Sequence, residues 1–196
     1  MPRVHYFQRY SQRENVVTNN TLLLFSRLYA YSPARLELLL GTLLDDLDLV
    51  IGPAFKQQER GAGSVPDAKV RQGSFSLVIE TKVRAAVDAG QLESHLESFT
   101  DEEQKFLLLI QPEPLSSGQQ EEIQQRLKAV DPEVRFCAVT FDEIVNACDD
   151  VVQDYEMELR ELFDDYREYC SSEGLLPMAP HTMRAVSYTH LTLPTN

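Results

Sequence analysis

Asp67, Glu80 and Lys82 flank a short turn in the stretch "VPDAKVRQGSFSLVIETKV", Val65 to Val83. If Gln72-Gly73 form a two-residue turn, Arg71 faces Ser74 and Asp67 comes to lie opposite Val78. Side chains alternate along a strand, so Val78, Glu80 and Lys82 share one face, with Asp67 diagonal to Glu80. Phe75, Leu77, Ile79 and Thr81 take the other face. Two carboxylates a few ångströms apart repel unless a cation lies between them, and an oxygen-lined site of that kind suits Mg²⁺ or Mn²⁺. A neighbouring lysine can orient a metal-bound water or stabilise charge on a phosphate during transfer. The alternative is a solvated hairpin face whose cross-strand ion pair is worth under about 1 kcal/mol. Against it, "FSLVIE" is nearly continuous apolar, the pattern of a central strand buried on both faces.

The elements that must position these residues alternate along the chain. Ser11 to about Tyr31 reads as a helix ending before Ser32-Pro33, and a second helix runs from Pro33 to about Leu47. "PAFKQQERGAGS" supplies a short strand and a Gly-rich loop. After the hairpin come a helix from about Asp88 to Phe99, a strand "KFLLLI", a helix Gly118 to Ala129, a strand "VRFCAVT", and acidic helices from Phe141 onward. This is an α/β sandwich around a mixed sheet. Asp149 to Glu173 reads as an acidic amphipathic helix, with Val152, Tyr155, Leu159, Leu162, Phe163 and Tyr166 near one stripe.

Composition sets the outer bounds. The chain has 196 residues, 43% apolar and 25% charged, enough for one domain or one domain plus part of a second. No apolar run approaches the roughly 18 to 20 residues of a membrane span, and no apolar signal region follows the N-terminus, so the expectation is a cytoplasmic chain without membrane contact. Cys137, Cys148 and Cys170 are scattered singly and read as reduced structural thiols. The net charge of −13 argues at first against nucleic acid. Residues 1–100 hold 11 cationic and 11 acidic side chains, however, so the excess lies wholly in the second half and leaves the first half available to phosphates. No phosphate-cradling Gly-Lys-Ser/Thr loop, GxGxxG, GxSxG or paired-histidine motif is present, which counts against small-molecule enzymes of those classes. The last eleven residues, "VSYTHLTLPTN", match one frame of a transposase mosaic-end sequence and are set aside as a scar, with the natural chain expected to continue past about Ala185.

A Glu-x-Lys triplet alone is expected about once by chance in a chain of this length. A Pro-Asp opening one strand, a turn, and an apolar strand ending in Glu-Thr-Lys is rarer, and it resembles the PD-(D/E)XK phosphodiesterase superfamily over roughly residues 5 to 140. The N-terminal stretch also looks like the nuclease domains of prokaryotic defence systems. The resemblance implies a restriction-endonuclease-like mixed central sheet flanked by helices and an Mg²⁺-dependent nuclease, with Mn²⁺ as substitute, acting on DNA in preference to RNA. By the same resemblance, Asp67, Glu80 and the backbone carbonyl of Thr81 hold the metal, Lys82 assists the attacking water, and Gln91 positions phosphate or Lys82. In many members the Gln is followed four residues later by an aromatic; here His95 stands in that place. Glu14 on the first helix is a further candidate ligand, although Ser11-x-x-Glu14 is equally a capping box, and a plain first-turn residue is the alternative for Gln91. Lys69, Arg71 and Arg84 flank the site and could meet phosphates or solvent. The implied organisation is a nuclease-like domain over 1–148, an acidic helical extension over 149–176, the start of a further region over 177–185 and the tail over 186–196. The rival reading is a catalytically silent nuclease-fold module within a defence complex, its acidic helix facing a protein partner; a homodimer is also expected of nucleases that cut both strands.

Overall fold

The computed structural model describes residues 13–44, 54–57, 68–72, 75–84, 86–100, 102–153 and 155–177. Two helices come first, α1 (Arg13–Tyr31) and α2 (Pro33–Leu44). Ser32 separates them: its N–H closes the last turn of α1 on Leu28 O at 2.8 Å and its carbonyl accepts the first amides of α2, while Pro33 bars the helix from continuing through it. The strands are β1 (Ala54–Gln57), β2 (Ala68–Gln72), β3 (Phe75–Thr81), β4 (Gln104–Gln111) and β5 (Val134–Thr140). Among the described residues they form one five-stranded mixed sheet in the order β1-β2-β3-β4-β5, antiparallel from β1 to β3 and parallel from β3 to β5.

Parallel pairing requires crossovers, and helices supply them. After β3 come α3 (Ala89–His95) and a 3₁₀ turn (Leu96–Ser98), and between β4 and β5 lies α4 (Ser117–Val130). α5 (Phe141–Val151) and α6 (Met157–Ser172) complete the chain's described helices. The two faces of the sheet carry separate cores. Phe75, Leu77 and Ile79 of β3 join Phe106, Leu108 and Ile110 of β4 beneath α1, α2, α5 and α6. Val78 and Leu107 face the other way, onto Leu92 and Leu96 of the α3 segment and Ile123 and Leu127 of α4. Each of these fully covered Leu, Ile or Phe side chains contributes about 1.5–3 kcal/mol by leaving water, which is why the all-buried β3 sits at the centre of the sheet.

Three expectations need correction. Val78, expected opposite Asp67, is paired with Lys69, because Gln72 pairs with Phe75 and the whole register slides by two residues. A slide of two leaves every side chain on its original face, so the apolar pattern cannot sense it and the turn decides. The helix expected from Asp88 to Phe99 is α-helical only to His95; Asp88 is its cap, its side chain accepting from Gly90 N at 2.9 Å. The single acidic helix over Asp149–Glu173 is two helices, since Val152 is extended and Glu156 accepts from Gln153 N at 2.7 Å in the bend between them. Tyr155, expected on the buried stripe, is consequently 79% exposed, whereas Leu159, Leu162, Phe163 and Tyr166 are buried as the pattern requires. The other boundaries shift by a residue or so, with Ser11 and residues 45–47 outside the described segments.

Candidate functional site

Glu80 is the last but one residue of β3 and is only 2% exposed, paired with Leu109 of β4 and with its side chain toward α3. Lys82 lies just past the strand, but its amide still donates to Ile110 O at 2.9 Å, so the strand geometry runs on and returns Lys82 to Glu80's face. The Lys82 ammonium is 2.7 Å from Glu80 Oε1 and donates to Gln91 Oε1 at 2.8 Å. Gln91 Nε2 donates to the same Glu80 Oε1 at 2.7 Å, so the amide bridges the two charges. Its orientation is dictated by chemistry: an ammonium only donates and a carboxylate only accepts.

His95 follows Gln91 by four residues and therefore lies on the same face of α3. It is fully buried, and its Nε2 stands 2.9 Å from Glu80 Oε2. Toward an ionised carboxylate that nitrogen must carry the proton. Burial pushes the Glu80 carboxyl up, but the hydrogen bonds and charges of His95 and Lys82 outweigh it and the net shift is below the usual 4.5. Glu80 is thus an ionised, desolvated carboxylate with both oxygens engaged.

The remaining candidates divide. Glu14 reaches across from α1, its Oε1 accepting from Val83 N at 3.3 Å, so it sits at the end of β3 beside the cluster. Thr81 is buried and turned to the opposite face by strand alternation. Asp67 lies outside the described residues; it precedes Ala68, which pairs with Ile79, the residue before Glu80. Lys69 is buried, donates to Ser98 O and lies 5.8 Å over the Phe99 ring, while Arg71 pairs with Glu102 at 2.8 Å. Those two cations tie β2 to the segment leading into β4. Arg84 is exposed and faces a cleft.

That cleft, about 820 Å³, opens at the C-terminal ends of parallel β3 and β4, where α/β sheets place ligands. The loops after each strand, the start of α3 and one side of α4 form its walls, and Lys82 borders it, between the buried carboxylate and solvent. Its charged lining is balanced: Lys82, Arg84 and Arg126 against Asp88, Glu113 and Glu122.

A hard divalent cation favours oxygen ligands, and Glu80 and Glu14 offer two carboxylates at this edge. Among the described residues no three His, Cys, Asp or Glu side chains group closely enough to hold a metal. The donor chemistry suits such an ion with one more carboxylate, and the Lys82 ammonium is the positive charge that Glu80 holds in this structure. The contact that sequence reasoning passed over is His95, which reads by default as a core histidine. Its signal is the four-residue spacing from Gln91 on the helix that follows the Glu-x-Lys strand. Compared with known proteins, the chain matches no family model, no curated protein and no solved structure.

Proposed function

We propose that the chain is a metal-dependent nuclease of restriction-endonuclease-like fold that hydrolyses phosphodiester bonds, in DNA in preference to RNA, as its resemblance to the PD-(D/E)XK superfamily implies. The observation that carries the reading is the Gln91 amide joining the buried Glu80 carboxylate to the Lys82 ammonium at the mouth of a cleft. A lone surface ion pair needs no such partner. Here a central strand, a crossover helix and α1 each send a polar side chain to one strand end.

In this reading Glu80, Asp67 and Glu14, with the Thr81 carbonyl, hold Mg²⁺ or Mn²⁺, which when bound supplies Lewis-acid stabilisation of the phosphate oxygens and an activated water. Lys82 borders the cleft and orients the attacking water, or offsets charge on the phosphate. Gln91 holds the Lys82 ammonium in register, and His95 holds the carboxylate plane. Single- and double-stranded DNA and RNA oligonucleotides incubated with Mg²⁺ or Mn²⁺ test the reading. Glu80→Gln and Lys82→Ala, compared as variants that circular dichroism shows to be folded, should each lower cleavage by about 100-fold or more. Undiminished cleavage by Lys82→Ala sinks the mechanism.

One observation favours the second reading, a silent binding module: both Glu80 oxygens already have protein partners. Nucleic acid retained in a gel shift but never cut, with any added divalent ion, would select it.

A further inference from the structure

We propose that Lys82 is an exchangeable internal counter-ion, which leaves Glu80 for the cleft when a divalent cation binds that carboxylate. The inference rests on the metal-site reading of Glu80 and adds how that site is regulated. Glu80 Oε1 receives two donors, the Lys82 ammonium at 2.7 Å and the Gln91 amide at 2.7 Å, and Oε2 receives His95 at 2.9 Å. A carboxylate oxygen has two lone pairs, so Oε1, on the Lys82 side, is filled, while Oε2 keeps one beside His95. A hard cation bonded to Oε1 at roughly 2.0–2.2 Å displaces one of its donors, and one bonded to Oε2 still stands within a few ångströms of the Lys82 ammonium and repels it.

The three donors differ in their freedom to withdraw. His95 is fully buried, and Leu92 and Leu96 pack the same helix face into the core, so its withdrawal would move α3. Gln91 is uncharged and held in α3. Lys82 follows the strand end, is 12% exposed, borders the cleft and carries four rotatable side-chain bonds. It is also the donor that a dication repels, since like charges at this separation oppose one another in a poorly solvated site. Gln91 Oε1, 2.8 Å from the ammonium, marks the inner end of its path and the cleft the outer end. Cation entry therefore moves one positive charge to the place where a phosphate would arrive, and the two binding events become ordered.

The proposal makes a prediction opposite to that for an ordinary site residue. Mn²⁺ titrated by calorimetry into the full chain should bind Lys82→Met at least about tenfold more tightly than wild type, equivalent to roughly 1.4 kcal/mol. Lys82→Arg, which keeps a cation, should stay near wild type, and Glu80→Gln should bind neither strongly nor differently when Lys82 is also changed. Because Lys82→Met leaves a buried carboxylate without its counter-ion and could fail to fold, amine labelling of wild type followed by mass spectrometry gives a second readout. Lys82 should become several-fold more reactive at saturating Mn²⁺, with Lys69 and Lys105 unchanged as internal references. If wild type binds Mn²⁺ while Lys82→Met binds equally or less tightly, or Lys82 labelling stays constant, the exchange is overturned and the metal site stands. If folded wild type and folded Lys82→Met both fail to bind, the metal-site reading falls and the exchange with it.

Discussion

At the scale of single residues, the decisive balance is at Glu80, where desolvation opposes the hydrogen bonds and charges of His95 and Lys82 and loses. Its carboxyl is depressed below the usual 4.5, so the folded state holds the proton less readily than the unfolded chain. A depressed carboxyl contributes stability that is present above the unfolded value and is lost as pH falls through the folded one. Urea unfolding of wild type and Glu80→Gln from pH 7 to pH 3 should show the wild-type advantage shrinking below about pH 4.5. The other depressed carboxyls, Glu102 and Asp131, occur in both proteins and cancel in the difference. A difference that stays flat over the whole range means that the charge on Glu80 contributes nothing to stability. The Glu80-Lys82 proximity was legible from strand alternation alone. The His95 contact was legible only in part: the four-residue spacing puts it on the Gln91 face of the helix, but a histidine there has the same pattern whether it meets a carboxylate or a carbonyl.

At the scale of elements, legibility followed the strength of local chemistry. β3 and β4 announce themselves as apolar runs because both of their faces are covered, and the Thr140-x-x-Glu143 cap of α5 is written in four residues. Both reciprocal bonds of that cap form: Glu143 N donates to Thr140 Oγ1 at 3.1 Å, and Thr140 N donates to the Glu143 carboxylate. A second box, Ser116 with Gln119, caps α4, which starts at Ser117, one residue ahead of the expected Gly118. The hairpin register and the bend at Val152 were beyond reach for a different reason. A two-residue slide preserves every face, and the acidic segment has the same mean polarity whether it is one helix or two. Thr140 also joins the last strand of the sheet to α5, so its cap should matter more than the exposed one on α4. Thr140→Ala should cost about 1–2 kcal/mol and Ser116→Ala about 0.5–1 kcal/mol in denaturant unfolding. Equal costs would show that the junction adds nothing to the cap.

At the scale of the whole molecule, the acidic second half closes the same core that the first half builds. Leu159, Leu162, Phe163 and Tyr166 of α6 share one cluster with α1 and with β3, and Tyr166 OH lies 2.8 Å from Thr21 Oγ1. Glu158, Glu161, Asp164 and Glu168 occupy the outer side of α6, whereas Asp165 is buried among the apolar residues and Glu156 is buried at the bend before the helix. Two thiols report on how that layer opens. Cys170 of α6 is fully buried and its thiol is pushed up to about 12, and burial likewise pushes the Cys148 thiol of α5 up. Only the thiolate reacts, so at neutral pH both must wait for the protein to open, whereas the half-buried Cys137 should be modified first. If α5 and α6 open together with the sheet, iodoacetamide should modify Cys148 and Cys170 at closely similar rates, and destabilising the core should accelerate both in parallel. Destabilisation by Thr140→Ala then serves as the lever, since about 1.4 kcal/mol of lost stability should raise both rates about tenfold when opening is global. A Cys170 rate well above that of Cys148, and indifferent to Thr140→Ala, would make α6 a separately opening flap. That outcome would also change where a protein partner could bind, because peeling α6 away would bare the apolar face that Leu159, Leu162 and Phe163 now cover.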